Sequence, residues 1–214
     1  MTGGLYAAPF RIHAEGRHLE GDLVLPAKSH SLVIFAHGSG SSRHSPRNRY
    51  VARMLREAGI GTLLFDLLTP PEDADVDKRF DIALLTRRLV AATLNLRERP
   101  QTARLFLGYF GASTGAAAAL QAAAELGPQI RALVSRGGRP DLAMEVLDRV
   151  QAPTLLIVGG YDDGVITWNQ EAYERLRCTK RLEIVPGATH LFEEPGKLEA
   201  VAGLARNWFE KYLG

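Results

Sequence analysis

The sequence predicts an α/β fold in which a mostly parallel central sheet lies between layers of helix. Three observations predict it. Apolar runs of strand length recur through the chain, stretches with helical periodicity separate them, and most of the runs end in glycine. Several runs are apolar almost throughout, as strands covered on both faces must be.

The elements follow in chain order. FRIHAEG and LEGDLVLP, joined near Gly16, read as an antiparallel hairpin at the edge of the sheet. SLVIFAHG (31–38) is the first buried strand. Ser45-Pro46 then supplies a cap and first-turn pair for a helix whose apolar stripe is Tyr50, Val51, Met54, Leu55 and Ala58, ended by Gly59. GIGTLLFDLL (59–68) is the next strand, and the acidic TPPEDADVDKRF (69–80) reads as the longest irregular insert. An amphipathic helix runs from Phe80 to Arg97 and stops before Pro100. ARLFLGYFG (103–111) is a strand, and Thr114 to Leu126 a helix. IRALVSRGG (130–138), a short helix after Pro140, PTLLIVGG (153–160), a helix after Asn169 and KRLEIVPG (180–187) follow. Leu198, Val201, Ala202, Ala205, Trp208, Phe209 and Tyr212 place a last helix at the end. No repeat, linker or compositional break divides residues 1–214, which read as one domain.

Composition narrows the function classes. Among 214 residues the formal net charge is +2, with basic and acidic residues interleaved, so nucleic acid is not an expected partner. Cys178 is the single cysteine, which excludes a disulfide scaffold within the chain and fits a reducing, cytoplasmic setting. The start MTGGLYAAPF lacks the basic and apolar regions of a signal peptide, and no run reaches the length of a membrane span. The expected partner is a small-molecule substrate. Nothing in the sequence decides between monomer and homodimer.

GYFGASTG (108–115) carries the chemistry. Ser113 ends an apolar strand and opens an alanine-rich helix, so the chain must reverse sharply there and push the hydroxyl out at the strand's C-terminal end. Gly111 and Gly115 suit the close backbone approach such a turn needs. The G-x-S-x-G string alone is a weak signal; its strand-turn-helix setting makes Ser113 the candidate nucleophile.

A serine needs a base, and the base needs an orienting acid. Of six histidines, His13, His18 and His30 lie in or beside the hairpin and His44 in a polar loop. His37 ends a strand and is suited to ordering the following loop. His190, in PGATHLFEEP after the last strand, is the candidate base. Asp162 in GGYDDGV is the preferred acid; its neighbour Asp163 points elsewhere, as a solvated or capping residue. For the oxyanion of a carbonyl addition, the Thr114 N–H is one expected donor. Ser39 in HGSGSS is the expected second, with Gly40 in reserve. HGSG lacks the lysine of a phosphate-binding loop, and His37, His44 and His190 match no usual metal spacing. No cofactor and no metal are expected.

HGSGSSRHSPRN (37–48), GYFGASTG (108–115), VSRGGRPD (134–141), GGYDDGV (159–165) and PGATHLFEEPG (187–196) together resemble the dienelactone hydrolase-like branch of the α/β-hydrolase superfamily. The resemblance covers nearly the whole chain. It implies a three-layer α/β-hydrolase sandwich, a triad of Ser113, Asp162 and His190, and oxyanion donors after Ser113 and after His37. Dienelactone hydrolases themselves use cysteine where this chain has serine, and Cys178 lies elsewhere. That departure tells against a dienelactone substrate but not against ester-type hydrolysis. Similar domains occur fused to phosphoribosyltransferases, which implies a metabolic setting.

The expected activity is hydrolysis of small esters, lactones or thioesters through an acyl-enzyme. The alternative is a non-hydrolytic use of the fold: acyl transfer, cofactor-free perhydrolase or haloperoxidase chemistry, or an auxiliary ligand-binding role. Only about 15 residues separate SRGG from the strand near Pro153, too few for a cap domain, so an open site is expected. Arg43, Arg47 and Arg49 follow the oxyanion loop, and Arg136 and Arg139 follow a later strand, so these loops open toward one crevice. Arg43, Arg47 and Arg136 are candidates for binding an anionic group of the substrate. The competing expectation pairs them with the acids of residues 69–80.

Overall fold

The structure, a computed structural model, describes residues 4–214. The reading of the extreme amino terminus therefore falls, for residues 1–3, outside the described residues.

Among the described residues, eight strands form one sheet in the order β1-β2-β4-β3-β5-β6-β7-β8. The predicted hairpin is β1 (Tyr6–Ala14) and β2 (Arg17–Leu25), paired along their full length around a turn in which Glu15 and Gly16 both have positive φ. β2 pairs antiparallel to β4 (Gly61–Phe65). From there β4, β3 (Ser31–Ala36), β5 (Phe106–Ala112), β6 (Ile130–Arg136), β7 (Thr154–Gly159) and β8 (Lys180–Val185) run parallel.

The strand order fixes where a site can form. From β3 the chain moves outward to β4, and from β5 it moves the other way to β6, so the winding reverses between β3 and β5. A crevice opens at the C-terminal ends of strands where the winding reverses. The loop after β3 and the turn after β5 flank that point.

Helices α1 (Pro46–Glu57) and α7 (Lys197–Leu213) cover one face, and α4 (Ile82–Glu98), α5 (Thr114–Leu126) and α6 (Asp163–Arg175) cover the other. β3 shows the two-sided burial that its sequence requires. Leu32, Ile34 and Ala36 pack toward α4 and α5, while Val33 and Phe35 pack toward α1 and α7. Ser45 caps α1 by accepting from the Asn48 N–H at 3.3 Å, with Pro46 in the first turn. Ala116, Ala117, Ala118 and Ala119 are wholly buried, which lets α5 lie close against the sheet.

Two segments differ from the sequence reading. Residues 69–80 are not irregular: they form two short helices, α2 (Pro70–Asp73) and α3 (Val76–Phe80). Prolines and acids in a first turn favour a helix start, and Glu72 closes a capping box on Thr69. Glu72 is also gripped by Arg88 through two 2.8 Å bonds, and Arg88, 1% exposed, donates to the Leu67 carbonyl at 2.7 Å. The second difference is α6, which begins at Asp163 rather than near Asn169, because the glycine at 164 is taken into the first turn instead of breaking it. No cap is inserted after β6, where a 3₁₀ segment, Pro140–Arg149, runs directly into β7.

Candidate active site

Ser113 sits between β5 and α5 with φ 50° and ψ −121°, a backbone conformation that costs energy for any residue with a side chain. Its neighbours hold it there. The Ser113 N–H donates to the Arg136 carbonyl at 3.2 Å, and the Ser113 carbonyl accepts from Ala116 at 3.0 Å and Arg139 at 3.1 Å. The flanking glycines permit the turn. A Cβ on Gly115 would stand 2.2 Å from the Ala36 carbonyl oxygen, and one on Gly111 would stand 2.4 Å from the Ala116 Cα. The first turn of α5 therefore rests on the end of β3, and the half-buried Ser113 projects at the winding reversal.

The loop after β8 brings His190 to the same place. Its Nδ1 donates to Asp162 Oδ2 at 2.6 Å, the short contact expected where the acceptor is a carboxylate. The Asp162 side chain is 17% exposed and precedes α6, whereas Asp163 opens that helix and is exposed. Tyr161 N–H donates to the Ala188 carbonyl at 2.9 Å, tying the acid's loop to the base's loop. The imidazole lies on Gly137, where an added Cβ would come within 3.3 Å of His190 Cε1. Gly137 directly follows the residue whose carbonyl holds Ser113. With Nδ1 occupied, Nε2 is the nitrogen left to serve the serine.

His37 is occupied elsewhere. Its Nε2 accepts from the Leu67 N–H at 2.9 Å, which leaves Nδ1 to donate to the Gly38 carbonyl at 3.0 Å. Burial pushes its pKa down, so the ring stays neutral and fixes the loop after β3. That loop passes close to the nucleophile: a Cβ on Gly38 would lie 3.0 Å from Ser113 Cβ. Among the described residues, neither the Ser39 nor the Thr114 N–H donates to a protein acceptor.

The candidate arginines separate. Arg43 is spent on structure: its backbone N–H and guanidinium bind Asp66, and Nη2 reaches Glu20 at 3.2 Å. Arg47 meets the exposed Glu193 at 2.7 Å. Arg139 pairs with Asp141 at 2.7 Å and stacks on Trp168. Arg136 is buried, with no carboxylate in reach among the described residues and no partner for Nε or Nη1. Burial first, and the nearby Arg47 charge second, pull its pKa down to about 10. Of the acids of residues 69–80, Glu72 is held by Arg17 and Arg88 and Asp73 by Arg79, and among the described residues the predicted pairing of that segment with Arg43, Arg47 or Arg136 does not form.

Sequence reasoning missed Arg79. Its guanidinium packs against Gly40, where an added Cβ would lie 3.6 Å from Nη1, and so borders the loop after β3. Two adjoining clefts open there. One of about 520 Å³ is lined by Ser41, Arg43, Asp66, Leu68 and Thr69, and one of about 340 Å³ runs from Gly40 to Arg47. Among the described residues no cluster of His, Cys, Asp and Glu is arranged to hold a metal ion, and no helix is long and apolar enough to cross a membrane.

Known proteins share this design. The family model described as "Dienelactone hydrolase family" matches residues 52–212. The crystal structure of a dienelactone hydrolase from Anabaena variabilis superposes with a TM-score of 0.93 at 55% identity, covering 100% of both chains. A structure from Xanthomonas campestris, described as an α/β serine hydrolase without a lid, gives 0.76 at 26% identity over 97% of this chain and 95% of that one. Two Mycobacterium tuberculosis proteins, provisionally named as phosphoribosyl transferases, are 58% identical over 193 residues; this chain spans 90% of itself but only 44% of their length. With the strand order, the turn at Ser113 and the matched span in agreement, the chain belongs to the dienelactone hydrolase family of α/β-hydrolases.

Proposed function

We propose that this chain is a serine hydrolase of the carboxylic-ester type, acting on small esters, lactones or thioesters, with residues 1–214 forming one domain around one site. Ser113 Oγ attacks the substrate carbonyl while His190 Nε2 takes its proton. Asp162 holds the imidazole by Nδ1 and stabilises the imidazolium as it forms. The Thr114 and Ser39 N–H groups receive the oxyanion. His190 returns the proton to the leaving group, and a water repeats the sequence to release the acid and free Ser113.

The observation that carries this reading is the 2.6 Å bond from His190 to Asp162, on an imidazole seated beside the strained turn at Ser113. The clefts beside Gly40 are of the size that small molecules occupy. Both flank the loop after β3, and neither is lined by Ser113, Asp162 or His190. A cytoplasmic setting is part of the proposal and rests on the lone Cys178.

Steady-state hydrolysis of p-nitrophenyl acetate, a short thioester and a small lactone tests the reading. The native protein is expected to turn over at least one, Ser113→Ala none, and Asp162→Asn to lose about 10⁴-fold in kcat by holding the wrong tautomer. Undiminished turnover by Ser113→Ala would refute it.

A further inference from the structure

The segment VSRGGRPD (134–141) supplies none of the proposed triad or oxyanion groups, yet nucleophile and base both rest on it. The Ser113 N–H donates to the Arg136 carbonyl at 3.2 Å, and the Arg139 N–H donates to the Ser113 carbonyl at 3.1 Å. Between those two bonds lies Gly137, with φ 51°. A Cβ there would stand 3.3 Å from His190 Cε1, 3.3 Å from the His190 carbonyl oxygen and 3.4 Å from Nδ1. Nδ1 is the nitrogen bonded to Asp162. The bare Cα of Gly137 is thus the surface on which the base sits.

That seat is anchored on three sides. The Gly137 N–H donates to the Ile157 carbonyl of β7 at 2.8 Å. Gly138 lies against Ser135 and α5: a Cβ at 138 would meet Ser135 Oγ at 2.0 Å and Ala116 Cβ at 2.8 Å. Asn169 makes the third anchor. The buried positions of α6 are Val165, Asn169 and Ala172, one stripe in which the amide is the exception. Asn169 is wholly buried, and a buried amide costs stability unless it is bonded. Its Nδ2 donates to the Gly138 carbonyl at 3.0 Å and to the Val165 carbonyl at 2.8 Å. Leucine would suit the stripe, but only a donor satisfies the Gly138 carbonyl. Because α6 starts directly after Asp162, this one side chain ties the acid's helix to the seat of the base.

We propose that Gly137 and Asn169 are positioning residues for the base: Gly137 sets how closely the imidazole approaches Ser113, and Asn169 fixes Gly137 relative to Asp162. The inference rests on the proposed triad of Ser113, Asp162 and His190 and adds to it the groups that set its spacing. Both residues act through His190.

The test is Gly137→Ala, with Gly127→Ala as its control. Gly127 also has a positive φ, 55°, but a Cβ there meets nothing nearer than the Gln151 side chain at 3.6 Å. Both substitutions force a left-handed backbone on alanine, so both should lower Tm by about 2–8 °C. Only Gly137→Ala crowds the imidazole, which must give way by a few tenths of an ångström. Since a misplacement of about 1 Å costs about 10²-fold, kcat for p-nitrophenyl acetate should fall about four- to tenfold with KM unchanged. Gly127→Ala should keep the native kcat. Asn169→Asp keeps the shape but sets an oxygen against two carbonyls, and it should lower kcat in the same way. A double-mutant cycle on the rate of Ser113 labelling by a fluorophosphonate separates seating of the base from general damage. Gly137→Ala should slow labelling when His190 is present and have no effect in the His190→Ala background. Equal slowing in both backgrounds would overturn the proposal, as would native kcat in Gly137→Ala or Asn169→Asp, or a matching loss of kcat in Gly127→Ala. A native protein whose Ser113 takes no label would sink the triad reading and this inference with it. Labelling that requires His190 but runs at the native rate in Gly137→Ala would sink this inference alone.

Discussion

Replacing Gly115 by alanine tests the claim that backbone contact, rather than side-chain chemistry, builds the turn at Ser113. The added Cβ would stand 2.2 Å from the Ala36 carbonyl oxygen and 2.4 Å from that of His37, about 0.8 Å inside the closest approach a Cβ tolerates. Both obstacles are backbone in the end of β3 and the start of its loop, so neither can rotate aside. Relief requires α5 and β3 to separate, and forcing extra carbon into a packed site typically costs about 1–3 kcal/mol. The native helical preference for alanine over glycine returns up to about 1 kcal/mol, leaving a net loss of up to about 2 kcal/mol. In a chain of this size each kcal/mol is worth about 2–4 °C in Tm, so melting should fall by up to about 8 °C. Activity should fall much further, because the same movement carries the Ser39 N–H, the proposed oxyanion donor, away from Ser113, and loss of one such donor costs about 10²–10³ in kcat. Thermal melts and p-nitrophenyl acetate kinetics measure the two effects. A Gly115→Ala protein with native melting temperature and native kcat would refute the close packing from which the site was built.

Two further predictions concern buried charge. His37 is held neutral by burial, so below about pH 6.5 the unfolded chain takes up a proton that the folded one refuses, and stability falls with pH. Denaturant melts at pH 7 and pH 5 should show a smaller pH effect in His37→Gln than in the native protein; equal effects would refute the assignment. The Arg88 hydrogen bonds hold the Glu72 carboxyl well below the usual carboxylate range, so the stability it contributes is present above about pH 4.3 and is lost on acidification. Arg88→Met should cost about 3–5 kcal/mol near neutral pH by stranding Glu72, and the double variant Arg88→Met with Glu72→Met should recover most of it. Chemical denaturation of the three proteins decides.

The sequence carried the architecture well because its strands are buried on both faces and announce themselves as unbroken apolar runs. The turn at Ser113 was legible for a related reason: glycine is required at 111 and 115 by contact with Ala116 and Ala36, and a requirement that strict leaves a mark in the string. Asp162 could be preferred over Asp163 only by its position, and the structure brings Asp162, not Asp163, to His190. Residues 69–80 carried a local helix signal in Thr69-Pro70-Pro71-Glu72 that the reading of an irregular insert passed over, whereas the grip of Arg88, on α4, on Glu72 is long-range and no local pattern reveals it. The arginines were the least legible. Arg43, Arg47 and Arg136 look alike in sequence, yet one is neutralised by Asp66 and Glu20, one by Glu193 and one by no carboxylate among the described residues, and those differences arise from long-range packing.

Intact-mass analysis after reaction with a fluorophosphonate tests the nucleophile most directly. One adduct on Ser113 is predicted for the native protein, none for Ser113→Ala, and labelling slowed by orders of magnitude for His190→Ala. An unlabelled native protein, an adduct on another residue, or labelling of Ser113 at an undiminished rate without His190 would contradict the account.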